Sequence, residues 1–290
     1  MKLPKVTIFV MLILALLYLR TFIWSFNSWL TDPYYSHGFL IPIISLFIMW
    51  RNRRDPKMGT EEGTPNPETK LESKPMPFKP GIFVFAFGLI LYIIGFITIF
   101  PFLSALSFLF TTSGLILYFY GKSLMRASLF PIAFLIFAIP MPVVYFEKVA
   151  YNLQLLSARY PASLLQLLGI PVTRVGAEIH LTDASFIIGL PCSGMNSLIS
   201  LLALAALLIY LLHCPLYKKV ALFCFAVPIA LLANILRVTA LLLIANAYGA
   251  EAANGFFHTF FSPLLFILAV IFLLLMSVVL RCKVKGVVRE

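Results

Sequence analysis

The sequence predicts an all-α integral membrane protein, a polytopic bundle of about eight transmembrane helices with an interfacial segment on the outer face. Three observations lead to this prediction. Of the 290 residues, 61% are hydrophobic and only 11% are charged. Apolar runs close to the roughly 20 residues that cross a bilayer recur along the whole chain. Lysines and arginines cluster at the ends of these runs, as they do in membrane proteins whose basic loops share one side.

The first half of the chain divides into three regions. Residues 1–50 hold the first two predicted spans. The first apolar run resembles a signal peptide, but it continues through Trp29 without a small-residue cleavage site, so we expect a retained span. Residues 51–80 are polar and rich in Pro, Glu, Lys and Thr, which predicts a flexible cytoplasmic loop. Residues 81–142 hold predicted spans three to five.

The second half begins with the interfacial segment, residues 143–191. Apolar residues at helical spacing, interrupted by polar ones, predict a helix over 147–168 that lies at the interface. Residues 169–190 alternate in part and predict extended chain or a hairpin. Residues 192–290 are the predicted catalytic core, with spans six to eight and a basic cytoplasmic tail.

The basic residues predict the topology. The net charge of +11 would suit a nucleic-acid partner, but its placement at span ends favours the lipid bilayer as the partner, and we expect no nucleic acid. With about eight spans, all the clusters fall on one side, which the positive-inside rule makes cytoplasmic together with both termini. We therefore expect a multi-pass protein of the cytoplasmic (inner) membrane. The clusters are Lys2–Lys5, Arg51–Lys57, Lys122–Arg126, Lys218–Lys219 and Arg281–Lys285.

The stretch GLPCSGMNSL, residues 189–198, contains the candidate nucleophile, Cys192. It opens the sixth apolar run, so the thiol is expected near a helix N-terminus, where the dipole favours the reactive thiolate. A small apolar cysteine packed in a bundle is the alternative. The four cysteines have no paired or metal-type spacing, so we expect no disulfide framework and no metal or other cofactor. Cys214 and Cys282 are expected to be inert or lipidated.

Arg237 is the most costly residue of the sequence, because it lies inside the seventh apolar run. A mid-membrane arginine costs about 2.5–3.5 kcal/mol on the insertion scale and nearly always faces a partner or a wet cavity. Counting from the start of the run places it in the outer half of the membrane. Asn234 precedes it by three residues and shares its helix face, from which it could orient the guanidinium.

His258 begins the eighth run at the same face and has the chemistry for proton transfer near neutral pH. A thiol, a cation and an imidazole on three consecutive spans are the set required for thiol-based acyl transfer. Two weaker candidates could support this site. Asn196 follows Cys192 by one helical turn, and His37 also faces outward.

The residues carry a family resemblance. The run PCSGMNSL, then IALLANILRV and then GFFH resembles, in order and spacing, the exosortase/archaeosortase family of multi-pass sorting transpeptidases. The resemblance implies a cysteine transpeptidase or protease that cuts membrane-anchored proteins at a C-terminal sorting signal, made of a short PEP-like motif, a membrane helix and a basic tail. It implies Cys192 as nucleophile, Arg237 as transition-state stabiliser and His258 as acid/base.

Two other functions remain open from the sequence. A small-solute transporter or flippase would use Arg237 as an anion site, and it would be expected to show inverted repeats and broken helices near the midplane. A non-catalytic assembly subunit would have a Cys192 that thiol probes never label.

Overall fold

The computed structural model resolves the chain into two compact units, Met1–Met141 and Pro142–Glu290. We describe each unit by itself. Most of the loop predicted at 51–80 lies outside the described residues. The structure describes residues 5–54, 78–145, 147–182, 185–189, 192–249, 251, 253 and 258–284.

The first unit is a set of apolar helices. Two 3₁₀ segments, Pro33–Phe39 and Leu135–Ala138, extend it. The fifth helix is broken at Gly121, which has φ 77° and ψ −173°, so it holds the predicted fourth and fifth spans as two helical pieces. The helices are α1 (Lys5–Leu17), α2 (Leu19–Thr31), α3 (Leu40–Arg54), α4 (Gly81–Ile97) and α5 (Pro101–Phe134).

Small residues let α4 and α5 pack closely. A Cβ atom on Gly88 would lie 2.6 Å from the backbone nitrogen of Thr111, so only glycine allows this approach. The buried Tyr18 hydroxyl joins α5 to the N-terminal helices through a 2.8 Å hydrogen bond with the Ser107 hydroxyl. This hydrogen bond pairs two polar groups across the helices of a largely apolar unit.

The second unit holds residues 143–191, which the sequence predicts to be interfacial, and the last three helices. A helix and an antiparallel three-stranded sheet, ordered β1-β2-β3, occupy the segment for which the sequence predicts a helix and a hairpin. Strands β4 and β5 pair Leu212 with Val284 and His213 with Lys283. The elements are α6 (Glu147–Leu167), β1 (Thr173–Val175), β2 (Glu178–His180), β3 (Ser185–Ile187), α7 (Met195–Leu211), β4 (Leu212–His213), α8 (Leu216–Tyr248), α9 (His258–Val279) and β5 (Lys283–Val284).

The predicted number of about eight spans is not confirmed. Among the described residues, three helices are long and apolar enough to cross a membrane: Pro101–Ala138, Leu216–Tyr248 and Phe260–Val279. A fourth results if α1 and α2, which meet at a 57° bend, are counted as one broken span. Helices α4 and α7 are apolar but have only 17 residues each. Apolar runs that are continuous in sequence are thus divided by bends and short helices.

A disulfide between Cys214 and Cys282 contradicts the expectation of unpaired cysteines. The two Cα atoms lie 5.1 Å apart, although 68 residues separate the cysteines in sequence. The pairing of β4 with β5 brings them together, because Cys214 follows β4 and Cys282 precedes β5. Among the described cysteines, Cys192 and Cys224 are not part of a disulfide.

The redox state of this cysteine pair in cells indicates the face of the membrane on which the pair lies. Disulfides persist in oxidising compartments and are rare in the cytoplasm. With the predicted orientation, we expect Cys214 and Cys282 to be thiols in growing cells and to oxidise after purification in air. In cells quenched with acid and treated with a maleimide-linked polymer, both cysteines should therefore be alkylated. The protein band should then migrate more slowly in a gel, by two polymer chains. If the two cysteines are protected from alkylation in cells, the predicted orientation is wrong.

Candidate active site

Cys192 lies in a tight loop just before α7. The helix begins at Met195, with Gly194 as its N-cap residue, so the thiol sits outside the first helical turn in which the sequence places it. The fully buried Ser193 stabilises the loop, since its hydroxyl accepts a 3.3 Å hydrogen bond from the Met195 amide. The thiol itself is only partly buried. It is therefore held by the loop while remaining within reach of solvent or a ligand.

Two buried polar side chains hold the backbone of this loop. The Asn234 amide nitrogen donates to the Ser157 hydroxyl at 2.6 Å and to the Cys192 carbonyl at 3.2 Å. The Ser157 hydroxyl in turn donates to the Ser193 carbonyl at 3.2 Å. Helices α6 and α8 thus fix the two peptide carbonyls that flank Ser193, and hence the position of the thiol. Asn234 thus holds this loop, and its predicted role of orienting the Arg237 guanidinium stays a prediction.

Gly194 allows α8 to approach the loop. Its φ of 84° lies in the left-handed region that favours glycine. A Cβ atom at this position would lie 2.6 Å from Asn234 Cγ, closer than real side-chain contacts. The glycine is therefore required by the backbone conformation and by the neighbouring helix at once.

Arg237 lies next to this network on α8, one helical turn after Asn234. It is 9% exposed, and its Nε and Nη2 atoms have no hydrogen-bond partner among the described residues. The guanidinium is close enough to Cys192 for a coulombic interaction between them. A buried cation with unused donors beside a thiol can stabilise negative charge on sulfur or on an oxygen bound nearby.

A small cavity of about 10 Å³ adjoins the guanidinium, close to the volume that one water molecule requires. Its polar lining comes from three helices: Ser197 of α7, Asn234 and Arg237 of α8, and Ser262 of α9. Ser262 follows His258 by four residues and begins the second turn of α9. His258 is the first residue of α9, and its side chain is outside the described part of the structure.

The two weaker candidates have different surroundings. Asn196 is partly buried in the first turn of α7, and its side chain makes no hydrogen bond to another described residue. Its support of Cys192 therefore stays a prediction. His37 belongs to the first unit, in the segment Pro33–Phe39, and hydrogen-bonds with the Phe137 backbone. Its participation in the site likewise stays a prediction.

His37 should make the protein sensitive to acid. Burial lowers the pKa of its imidazole below the ordinary value of about 6.5, and the bond to the Phe137 backbone opposes this only in part. The unfolded chain then takes up a proton before the folded one, so stability present above about pH 6.5 is lost as the pH falls. Between pH 7.5 and 5, we expect the melting temperature of the wild type to drop a few degrees more than that of His37→Gln. Equal drops would contradict this.

Ser157 is the functional residue that sequence reasoning missed. It is 1% exposed and lies on the buried face of α6 with Leu153, Pro161 and Leu165. The signal was present in the sequence, because these four residues recur every fourth position and Ser157 is the one hydroxyl among them.

Where the structure describes the chain, no three His, Cys, Asp or Glu side chains come together as a metal site requires.

Comparison with known protein families gives a match over most of the chain. The model of the transmembrane exosortase family matches residues 29–276, which is most of the chain and includes Cys192, Arg237 and His258. No curated protein matches the chain, and no solved structure does.

Proposed function

The chain belongs to the transmembrane exosortase family, and we propose that it is a membrane-embedded cysteine transpeptidase or protease. Its substrates are exported proteins that end in a PEP-like motif, a membrane helix and a basic tail. The observation that supports this most directly is the Cys192 loop itself, which Asn234 and Ser157 fix next to the buried guanidinium of Arg237. A structural cysteine would need neither the cation nor the fixed loop.

Each residue has a defined task in the proposed reaction. The Cys192 sulfur, as thiolate, attacks the carbonyl carbon of the scissile peptide bond and forms a tetrahedral oxyanion. Arg237 donates hydrogen bonds from Nε and Nη2 to that oxygen, in a site with few competing acceptors. His258 gives a proton to the leaving amine as the carbon–nitrogen bond breaks, which leaves an acyl-thioester.

The second half of the reaction restores the thiol. His258 takes a proton from an acceptor amine or from water, which attacks the thioester carbonyl. The carbon–sulfur bond breaks and Cys192 leaves as thiolate. An amine acceptor gives a transferred protein, and water gives a released one.

The location of the site follows the charge pattern. We place the Cys192 end of α7 on the outer face of the cytoplasmic membrane and both termini in the cytoplasm, because the basic clusters end alternate connections. A membrane-impermeant maleimide applied to intact cells should then label Cys192. Labelling of Cys214 or Cys282 in its place would contradict the orientation.

The test of the activity is substrate cleavage in membranes that contain the enzyme and a tagged sorting-signal protein. We expect Cys192→Ala to abolish cleavage, and Cys192→Ser to abolish turnover while keeping substrate association. Cys224→Ala, which removes an exposed cysteine that is not part of a disulfide, is the matched control and should cleave normally. Cleavage by a properly inserted Cys192→Ala protein would refute the proposal.

A further inference from the structure

An arginine in the first unit lines a cavity that the catalytic proposal does not use. Arg20 is the only charged residue between Lys5 and Asp32, and it lies just after the 57° bend between α1 and α2. Its guanidinium carbon is 5.7 Å from the centre of the Phe96 ring. Within the described residues, no carboxylate pairs with it. A cation in an apolar segment without a counter-charge is expected to face a ligand or a wet cavity.

The cavity beside Arg20 measures about 130 Å³. Two nine-tenths-buried hydroxyl groups face it, those of Thr21 and Ser104, which are 6% and 4% exposed. Neither hydroxyl forms a hydrogen bond with any other residue that the structure describes. Ser104 and Pro101 also belong to the first turn of α5, whose positive helix-dipole end favours an anion. A guanidinium, two hydroxyls and a helix N-terminus therefore converge on one space.

The rest of the lining identifies the kind of anion. Trp24, Tyr92 and Phe100 form the aromatic wall, and tryptophan and tyrosine concentrate at the level of lipid headgroups. The cavity lies at the turn between α4 and α5, where the chain reverses direction. Beside it, Ile97 and Ile99 are 71% and 76% exposed, an apolar surface on which acyl chains can lie. This combination fits a phosphate group carried by a lipid better than one free in water.

We propose that this cavity binds the phosphate of a membrane phospholipid. Arg20 donates to the phosphate oxygens, Thr21 and Ser104 donate from their hydroxyls, and the acyl chains contact Ile97 and Ile99. The site belongs to the first unit and does not depend on the catalytic proposal.

The experiment measures lipid binding by the purified full-length protein in native mass spectrometry. The probes are phosphatidylglycerol, a phosphate-free diacylglycerol with the same acyl chains, and inorganic phosphate as competitor. We expect one phosphatidylglycerol to bind at least about tenfold more tightly than diacylglycerol, because charge-assisted hydrogen bonds to a phosphate are strong. Arg20→Gln should lose this preference by about 10- to 100-fold.

Lys122→Gln is the matched control. It removes one positive charge that also stacks on an aromatic ring, with Nζ 4.3 Å from the centre of Phe78, but it does not line this cavity. It should keep the preference. Ser104→Ala should weaken phosphatidylglycerol binding several-fold without a change in charge, and it carries the test if Arg20→Gln does not fold.

Three results would overturn the proposal. The first is equal phospholipid binding by wild type and Arg20→Gln, which would leave the guanidinium as a partner of the Phe96 ring only. The second is equal losses in Arg20→Gln and Lys122→Gln, which would reflect overall charge. The third is displacement of the lipid by millimolar inorganic phosphate, which would assign the cavity to free phosphate.

Discussion

Replacing Arg237 with methionine is expected to abolish substrate cleavage and, at the same time, to make the protein harder to unfold. The guanidinium is buried with two unpaired nitrogens, a state that costs free energy in the resting protein. Methionine has a similar length and needs no partners. We expect the free energy of unfolding to rise by about 1–3 kcal/mol, since replacing buried charges with apolar side chains is often stabilising.

The same substitution removes the donors proposed for the oxyanion. Loss of one such donor commonly lowers the rate by about 10²–10³-fold, so we expect cleavage to fall at least that far. Single-turnover cleavage and thermal unfolding of the same preparation measure the two effects. Arg159→Met, at an exposed position of α6, is the control and should change neither strongly. A destabilised Arg237→Met protein would show that a partner for the guanidinium exists in the resting state.

Gly194→Ala is expected to destabilise the second unit and to inactivate the enzyme together. An alanine there must adopt a φ of 84° and place its Cβ 2.6 Å from Asn234 Cγ. Asn234 cannot yield freely, because its amide is held by Ser157 and by the Cys192 carbonyl. We expect the free energy of unfolding to fall by about 2–4 kcal/mol in total, the sum of backbone strain and overpacking.

Gly169→Ala separates these two causes. Gly169 has a φ of 79°, but a Cβ atom there would meet nothing within 4 Å. Gly169→Ala should therefore lower the free energy of unfolding only by the backbone strain, about 1 kcal/mol, and it should leave cleavage intact. A displacement of about 1 Å in a reacting group can cost about 100-fold in rate, so Gly194→Ala should cleave at least that much more slowly. If the two substitutions change stability and cleavage to a similar extent, the contact between residue 194 and Asn234 is not what limits position 194.

How far the sequence predicts this molecule depends on how local each feature is. Asn234 and Arg237 share a helix face by spacing alone, and an arginine in an apolar run stands out by its cost. The hydrogen bonds from Asn234 to Ser157 and to the Cys192 carbonyl need three separate chain segments to meet, which no spacing rule gives. Arg20 does not stand out in the sequence, because the run around it is apolar enough to pass as a plain span.

The remaining differences have the same origin. The Cys214–Cys282 pair spans 68 residues, so its formation depends on where the ends of α7 and α9 are placed. The number of spans depends on bends such as the one between α1 and α2, which hydropathy averages over. The acid/base role of His258 stays a prediction.

The pairing of β4 with β5 has a mechanical consequence. It ties the end of α7 to the end of α9, about 25 Å along α7 from the Cys192 loop. Both helices pack mainly on α8 and touch each other little. If α7 and α9 move apart, the tied end acts as a hinge and the gap is widest beside Cys192. In the reaction that we propose, this opening would admit a substrate helix sideways from the bilayer and bring its scissile bond to the thiol, while the fold remains closed at the other end.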